Sequence, residues 1–460
     1  MTVQLFAIKK IIPIVLLLGC TVAGFAQRQM EYLDRGVYAV NAGGGKVFVS
    51  WRMLVTDDDA IAFNLYRSSG NKKQQLNKEP ISDVTCFTDE SADTAVANTY
   101  LVYAVINGKE QHSKGNSFLL KAASLPYLSI PLHAISGYSP NDASVGDLDG
   151  DGQYEIIIHM TGRAHDNSQA GVTDEPIIQA YKLNGTFLWQ INLGKNIREG
   201  AHYTQMMVYD LDGDGKAEIC MKTADGTIDG RGKVIGDSTK DWRNDRGYIL
   251  SGPEFFTVFD GATGAALATT NYNPPRNASL TPTTEELKAG WGDGYGNRMD
   301  RFIACIAYLD GVHPSVVMCR GYYTRTVLAA WDWRGGTLTQ RWVFDTNNGH
   351  KDFAGQGNHN VSVADVDGDG KDEIIYGAMT IDDNGEGLYT TRLGHGDALH
   401  VSDLDPSRPG LEVFDIQERF SDAGANFRDA RTGEVIWKIA SVKAGADGEG
   451  PGRGLALDID

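Results

Sequence analysis

Amphipathic helical periodicity is scarce in this sequence of 460 residues, and so are long apolar runs. The one extended run, Ile11 to Ala23, follows Lys9 and Lys10 and is shorter than the ~20 residues that a membrane-spanning helix requires. A short apolar run behind a basic start is typical of an export signal, so we assign residues 1–26 to a signal peptide. No later run approaches the length of a membrane span. We therefore expect an exported protein, periplasmic or extracellular.

Cysteine is also scarce, with 5 in the chain. Cys20 lies in the signal segment, where its lipidation is the alternative to simple cleavage before Gln27. The remaining cysteines match no zinc-binding spacing, and we interpret them as small buried residues: Cys86, Cys220, Cys305 and Cys319. A disulfide between Cys305 and Cys319 stays open at this point.

Positive charge is in deficit, because 42 Lys and Arg face 60 Asp and Glu, which gives a net charge of −18. Such a surface argues against nucleic acid as a partner. Much of the acid, however, lies in short clusters that a bound cation would neutralise. The charge therefore points to cation sites as well as to an acidic surface.

Short alternating runs of apolar and polar residues predict strands from Val47 to about Ala123. We expect a small β-sandwich-like domain over residues 27–125, with a packing or spacing role. Pro126 and Pro131 mark the join to the rest of the chain, residues 126–460. That second part repeats an acidic loop, a β-branched strand and a turn-bearing hairpin, which favours the blades of a β-propeller. The chain halts at Asp458-Ile-Asp460, where another acidic loop is starting, so we expect a ring that is incomplete here.

Acidic loops with alternate carboxylates are the strongest pattern in the repeat. Three loops carry the full set: Asp147, Asp149, Asp151 and Glu155; Asp210, Asp212, Asp214 and Glu218; Asp365, Asp367, Asp369 and Glu373. Carboxylates that converge in a glycine-kinked turn repel one another unless a cation lies between them. Calcium accepts such loose sets of oxygen ligands, whereas solvated surface turns are the alternative. A strand follows each loop, so these are not EF-hands.

A fourth loop has an altered form. It contains Asp403, Asp405 and Glu412, but the chain continues with Pro406 and Pro409 before Glu412, so the third carboxylate is missing. We predict several calcium ions in all, and include this loop among the candidate sites.

Several idiosyncratic segments separate these loops: Asn196 to Gln205, Lys222 to Thr227, Arg320 to Arg325, Gly357-Asn-His359 and Gly394-His-Gly-Asp397. Together with Glu31 to Gly36 and Phe63 to Arg67, they resemble the rhamnogalacturonan lyases of polysaccharide lyase family 11, in order, from about residue 30 onwards. The resemblance implies an all-β chain: an eight-bladed β-propeller with a small N-terminal β-domain and structural calcium. It also implies cleavage of the rhamnose–galacturonic acid bond in rhamnogalacturonan I, an acidic plant cell-wall polysaccharide, by β-elimination. We expect a monomer.

The resemblance assigns calcium binding to His359 and His395, and a sugar contact to Asn141. A hydrogen-bonded loop histidine is the alternative, since histidine is an unusual partner for so hard an ion. Our own candidates for contacts to the uronate carboxylate are His202, Arg320 and Arg325. A buried structural arginine that pairs with the carboxylates of the acidic loops is the alternative.

The chain departs from the family pattern at His159-Met-Thr161, where typical members have Lys-Trp-Asp, so the sugar contact of that Asp is not carried over. The family's candidates for the elimination step, a Lys and a Tyr, lie in a portion beyond Asp460. The catalytic base therefore stays unassigned. Two rival functions remain: a non-catalytic calcium-loop propeller that binds glycans or surface partners, and a hydrolase with two free carboxylates about 5–10 Å apart.

Overall fold

The structure is a computed structural model that describes residues 28–112, 116–418, 422–441 and 452–457. These residues form an all-β protein. The predicted export segment, including Cys20, and the final residues Asp458 to Asp460 lie outside the described residues. None of the described helices has the length and hydrophobicity that a membrane crossing requires.

The first part of the chain forms two antiparallel sheets that share one core. Their strands are β1 (Tyr38–Gly43), β2 (Lys46–Ser50), β3 (Ala62–Ser69), β4 (Lys72–Gln75), β5 (Cys86–Asp89), β6 (Asn98–Ile106), β7 (Lys109–Gln111) and β8 (Ser117–Leu120). One sheet has the order β1-β2-β5, and the other has β4-β3-β6-β7 with β8 beside β6. Alternate residues such as Val47 and Val49 of β2 pack against Phe63 and Leu65 of β3 in a common cluster. The alternating pattern predicted this arrangement, because one face of each strand must be buried.

Five further antiparallel sheets follow, which we call repeat sheets 1 to 5. Repeat sheet 1 contains β9 (Ser139–Gly146), β10 (Glu155–Thr161), β11 (Ile177–Tyr181) and β12 (Phe187–Asn192), and the short strands β15 (Thr227–Ile228) and β16 (Val234–Ile235) extend it. Repeat sheet 2 contains β13 (Met206–Tyr209), β14 (Glu218–Thr223), β17 (Phe255–Phe259) and β18 (Ala266–Asn271). Repeat sheet 3 contains β19 (Phe302–Ala307), β20 (Ser315–Arg320), β21 (Val327–Arg334) and β22 (Thr337–Asp345).

Repeat sheet 4 contains β23 (Ser362–Ala364), β24 (Glu373–Tyr376), β25 (Met379–Ile381) and β26 (Gly387–Thr390), and repeat sheet 5 contains β27 (Gly396–Ser402), β28 (Glu412–Gln417), β29 (Ala425–Asp429) and β30 (Val435–Ile439). Within the part of the chain that the structure describes, one helix, α1 (Thr284–Trp291), and a 3-10 turn at Lys351–Phe353 lie between sheets. In each repeat sheet the strands pair in chain order, so every sheet is an up-and-down meander. The second strands are buried throughout, which explains their β-branched runs.

The repeat sheets stand side by side through their first strands, since β9 contacts β13, β13 contacts β19, β19 contacts β23 and β23 contacts β27. Because the first strands lie side by side, the row of repeat sheets has two ends. The acidic end carries the connections between first and second strands, and the histidine end carries the residues at which the first strands begin. Among the described residues the five sheets do not close into a ring.

Each complete acidic loop connects a first strand to a second strand, so all three lie at the acidic end. Neighbouring loops contact one another there, because Ala217 donates its backbone N–H to the Asp147 carbonyl at 2.7 Å. A similar bond joins the Asp372 N–H to the Tyr308 carbonyl at 3.2 Å. The acidic loops therefore form one continuous rim.

An N-terminal strap, residues 28–36, runs along this rim. Arg28 pairs with Asp372 beside the third loop at 2.8 Å, and the Gln29 N–H donates to the Val312 carbonyl at 2.7 Å. At the other end of the strap, the Asp34 N–H donates to the Gly152 carbonyl in the first loop at 2.8 Å. The strap thus joins the acidic loops of different repeat sheets.

The cysteines Cys86, Cys220, Cys305 and Cys319 are free in the structure, and the last three are buried. Cys305 on β19 and Cys319 on β20 face different neighbours across the ladder, Val317 and Ile303 respectively. The interpretation as small buried residues is confirmed for these three, and no disulfide joins Cys305 to Cys319.

Candidate active site and cation sites

The predicted histidines meet at the histidine end, where the first strands of repeat sheets 4 and 5 begin. His359 precedes β23, and His395 precedes β27. The His359 N–H donates to the Gly396 carbonyl at 3.2 Å, which ties the two segments together. Together with Asp397, the histidines offer three ligand atoms within 4.8 Å of one another. We call this group the histidine cluster.

Hydroxyl groups from repeat sheet 3 surround His359. The Tyr322 hydroxyl lies 3.2 Å from Nδ1 of His359, and the Tyr323 hydroxyl lies 3.4 Å from Nε2. The Asp397 carboxylate is 3.3 Å from the same Nε2 atom. His359 is half-buried, and its burial followed by the neighbouring His395 lowers its pKa to about 3. A neutral imidazole with this pKa keeps a nitrogen lone pair available to a metal ion at neutral pH.

The backbone orients His395. Nδ1 of His395 lies 2.7 Å from the Gly357 carbonyl, so Nδ1 must carry the proton that is donated to this oxygen. Nε2 is then the atom free to bind a cation, and it is buried without a hydrogen-bond partner. The Glu418 carboxylate lies 3.2 Å from it. An unprotonated nitrogen this close to a carboxylate, in a group of ligand atoms that also includes Asp397 and His359, fits a bound cation.

Arg301 contributes a fixed positive charge beside the histidine cluster. It is 6% exposed, donates to the Tyr322 hydroxyl at 3.2 Å and lies 3.5 Å from Asp166. His202 lies on the other side of His359, with ring centroids 5.7 Å apart. Burial and then Arg301 lower the pKa of His202 to about 4. The structure therefore places His202 beside the predicted metal ligand His359.

Arg320 and Arg325 lie elsewhere. Arg320 is fully buried, where it donates to both oxygens of Glu254 at 3.0 and 3.1 Å. Arg325 pairs with Asp345 at 2.5 Å and covers the Trp291 ring. Both positions favour the structural alternative over a contact to substrate.

Asn141 is exposed near the start of β9, at the histidine end. His159, at the position of the departure from the family pattern, is buried and lies 2.9 Å from Glu199. The pair of His159 and Glu199 is therefore buried beside repeat sheet 1. The sugar contact assigned to Asn141 stays a prediction.

The complete acidic loops share one hydrogen-bond pattern. The first aspartate accepts backbone N–H groups of its own loop, as Asp210 does from Gly213 at 2.8 Å and from Gly215 at 3.0 Å. The closing glutamate accepts the N–H of the second loop residue with one oxygen, as Glu218 does from Leu211 at 2.9 Å. Its other oxygen converges with the first two aspartates, and all three loops have this converging set.

These loops hold closely spaced negative charge away from solvent. Burial and then Asp212 raise the pKa of Glu218 to about 8, and burial and then Asp367 raise the pKa of Glu373 to about 8. Oε1 of Glu373 is buried without a partner, which fits a cation in the third loop. Asp383 adds a further carboxylate, since it converges with Asp369 and Glu373.

The first and fourth loops differ from this pattern. In the first loop the Lys182 ammonium lies 2.5 Å from Asp149 and 3.5 Å from Glu155. In the fourth loop one oxygen of Glu412 accepts the N–H groups of Leu404 and Asp405, both at 3.1 Å. Among the described residues, Asp403, Asp405 and Glu412 are not one of the groups whose ligand atoms converge.

The sequence reasoning did not single out Arg301, Tyr322, Tyr323 or Asp397. Signals for three of them were present, since Tyr322 and Tyr323 lie inside the Arg320 to Arg325 segment and Asp397 closes the Gly394-His-Gly-Asp397 segment. Arg301 had no local signal, because only the packing of repeat sheet 3 against repeat sheet 4 brings it to His359.

The fold and the sites define a class: an all-β protein of repeated sheets, with groups at both ends that could hold a cation. Comparison with known proteins gives the family. Residues 133–460 match the C-terminal domain of rhamnogalacturonan lyase family 11, and residues 28–117 match the β-sheet domain of rhamnogalacturonan I lyases. The chain belongs to rhamnogalacturonan lyase family 11, and it is a polysaccharide lyase.

Two curated relatives from Bacillus subtilis are similar over most of the chain. The rhamnogalacturonan exolyase YesX is 55% identical over 94% of this chain and 69% of its own length. The rhamnogalacturonan endolyase YesW is 53% identical over 95% of this chain and 68% of its own length. The crystal structure of YesW matches with a TM-score of 0.85 and 52% identity, over 95% of this chain and 72% of that one.

Proposed function

We propose that this chain cleaves the rhamnose–galacturonic acid backbone of rhamnogalacturonan I by β-elimination, with calcium as its cation. The family match over residues 133–460 carries the proposal, and the histidine cluster supports it. Two relatives of more than 50% identity are named as rhamnogalacturonan lyases of the exo and endo kinds, so the mode of cleavage is left open.

Elimination requires a proton to leave C5 of a uronate, next to a carboxylate that is already negative. The carbanion that develops there is opposed by this charge, so a catalyst must supply positive charge near the carboxylate. A bound cation supplies that charge, and His359, His395 and Asp397 are the residues that would hold it. Arg301 adds a guanidinium that stays charged at every relevant pH.

The residues of the histidine cluster prepare this site. The Gly357 carbonyl fixes the tautomer of His395, and burial keeps His359 neutral. Tyr323 lies half-buried beside His359, and its hydroxyl group is 3.4 Å from Nε2 of that ring. The described residues contain no assigned base for the proton at C5.

We also propose a structural role for calcium at the acidic end, where the carboxylates of the second and third loops converge on positions that a cation would neutralise. The side-by-side first strands support an eight-bladed propeller as the complete architecture, with the domain boundaries near residue 126. The basic start and short apolar run at residues 1–26 support export to the periplasm or the medium.

The reaction is tested by incubating the protein with rhamnogalacturonan I and following the ultraviolet absorbance of the unsaturated uronate product. Elimination raises the absorbance. New reducing ends without a rise in absorbance would indicate hydrolysis, and an uncut polymer would show that this chain does not cleave the substrate.

The role of the histidine cluster is tested with His359→Ala and His395→Ala. Loss of a metal ligand or its orienting partners typically costs 10–100-fold, so we expect initial rates to fall by at least about 10-fold. His313→Ala is the matched control, because His313 lies at the acidic end and contacts Asp310. Equal rates for all three variants would show that the histidine cluster is not part of the active site.

A further inference from the structure

The first acidic loop contains a cation from the protein itself. Nζ of Lys182 lies 2.5 Å from Asp149, 3.3 Å from Asp151 and 3.5 Å from Glu155. The ammonium therefore contacts three of the four carboxylates that the sequence pattern assigns to a calcium ion. A primary ammonium has three N–H donors, so it can satisfy this number of oxygens.

Lys182 occupies a position that is acidic in other repeat sheets. It begins the hairpin after β11, where its N–H donates to the Thr186 carbonyl and its carbonyl accepts the Gly185 N–H, both at 2.9 Å. Asp382 makes the same pair of backbone bonds in repeat sheet 4, and Asp260 and Asp429 begin the corresponding hairpins of repeat sheets 2 and 5, whose turns are one residue longer. The charge is thus reversed at one position of a repeated turn.

The turn itself does not require this lysine. In repeat sheet 2, Asp260 accepts the Thr263 N–H at 2.8 Å and so stabilises its own turn. In repeat sheet 1, Asn184 performs that role by accepting the Thr186 N–H at 3.0 Å. The side chain of Lys182 is therefore free to extend to the acidic loop.

The other complete loops lack such an internal cation. Within the described part of the chain, no Lys or Arg nitrogen approaches the carboxylates of the second loop within ion-pair distance. In the third loop, Lys371 reaches Asp369 at 3.0 Å and Asp383 at 3.2 Å, but it leaves Oε1 of Glu373 without a partner. Lys371 contacts only the outer group of Asp369, Glu373 and Asp383, and pairs with no member of the inner group of Asp365, Asp367 and Glu373. Lys182, by contrast, pairs with two members of the corresponding inner group of the first loop, Asp149 and Glu155.

We propose that the Lys182 ammonium takes the place of the divalent cation in the first acidic loop, so that this loop is closed without calcium. One positive charge among four carboxylates leaves the loop negative, but an ammonium and a calcium ion cannot occupy the same small space. The inference revises the prediction of a metal site at Asp147, Asp149, Asp151 and Glu155. The second and third loops keep their calcium.

The experiment counts calcium ions per chain. The protein is stripped with a chelator, exchanged into calcium-free buffer and titrated with Ca²⁺ by equilibrium dialysis with radioactive calcium. Lys182→Met removes the ammonium and keeps a side chain of similar length, and we expect it to bind one more ion per chain than the wild type. Lys371→Met is the matched control, which we expect to leave the number of ions unchanged.

Substitution of the closing glutamate of each loop shows which loop holds each calcium ion that is counted. Glu155→Gln is expected to lose no ion from the wild-type chain but to abolish the additional ion of Lys182→Met, whereas Glu218→Gln loses one ion in either background. A Lys182→Met chain that binds no additional ion overturns the proposal. The proposal is also overturned if Glu155→Gln, made in the wild-type chain, loses an ion. This second comparison remains valid even if Lys182→Met does not fold.

Discussion

Glu254 lies at the centre of a buried charge group between repeat sheets 2 and 3. Arg276, Arg320 and Lys222 each approach it within 3.0 to 3.1 Å. Burial alone would raise the pKa of Glu254, but these three cations hold it well below its usual value. Removal of the one carboxylate would leave several buried cations without a counter-charge.

We therefore expect Glu254→Gln to lower the free energy of unfolding by about 3–5 kcal/mol, the cost of a broken buried ion pair. Denaturant titration measures the change. Asp352→Asn is the control, because Asp352 pairs with Arg392 on the surface and both side chains are 69% exposed. A Glu254→Gln variant as stable as this control would mean that the buried group contributes little to stability.

Asp310 provides a prediction for pH dependence. Its carboxylate accepts the N–H groups of Val312 at 2.9 Å and His313 at 2.7 Å. Burial opposes its ionised form, but the backbone N–H of His313 and then that of Val312 lower its pKa from 3.8 to about 2. A lowered folded-state pKa contributes stability above the unfolded value, and that stability is lost as the pH falls through the folded value.

The wild type should thus exceed Asp310→Asn in unfolding free energy by on the order of 1 kcal/mol above pH 4, after allowance for solvent screening. The difference should shrink as the pH falls from about 4 towards 2. Urea titrations of both proteins across this range check it. A gap that stays constant with pH would show that the carboxylate charge is not the cause.

The functional or structural role of a residue could be predicted from the sequence only where a local sequence pattern indicated it. The carboxylates of the acidic loops follow from their spacing, and His359 and His395 follow from short motifs of the family. The contacts of Lys182 and the burial of Arg320 depend on which hairpin packs against which loop. Neither residue has a neighbour in sequence that signals its partner, so tertiary packing alone decides.

Among the secondary-structure elements, too, the sequence predicted the features that depend on local pattern and not those that depend on tertiary packing. The alternating runs predicted β2, β3 and β6, and the glycine-bearing hairpins fall between the third and fourth strands of the repeat sheets, because period and turn chemistry are local. The joins between sheets were not visible in the sequence. Trp189 of β12 makes one such join, since its indole N–H donates to the Gly261 carbonyl of repeat sheet 2 at 2.7 Å. Trp342 of β22 does the same to Asp383 of repeat sheet 4 at 2.8 Å.

Trp189 is 3% exposed, so its substitution tests the join between repeat sheets 1 and 2. Trp189→Phe removes the hydrogen bond and should cost about 1–2 kcal/mol, whereas Trp189→Ala also opens a cavity and should cost about 3–5 kcal/mol. Chemical denaturation gives both values. Trp437→Phe is the control, because Trp437 is 41% exposed. If Trp189→Ala costs no more than this control, the join does not contribute to stability.

For the whole molecule, the N-terminal strap couples the acidic loops to one another. Its contacts at Asp372 and Gly152 join loops of repeat sheets that are not neighbours in the row. In a loop that loses its cation, the carboxylates would repel one another and move apart. The strap residues that bond to that loop would then lose their partners. Calcium binding and docking of the strap should therefore be linked.

Chelation tests this linkage. A site saturated at 100 times its dissociation constant stabilises the folded state by about 2.7 kcal/mol, so removal of calcium should lower the melting temperature by several degrees. Trypsin should also cleave faster after Arg28, which the docked strap holds against Asp372 beside the third loop. Glu218→Gln and Glu373→Gln combined should reduce the response to chelator, because both loops then lack a ligand. If melting and cleavage are the same with and without chelator, the acidic loops do not need calcium to hold the strap, and the carboxylates must be neutralised in another way.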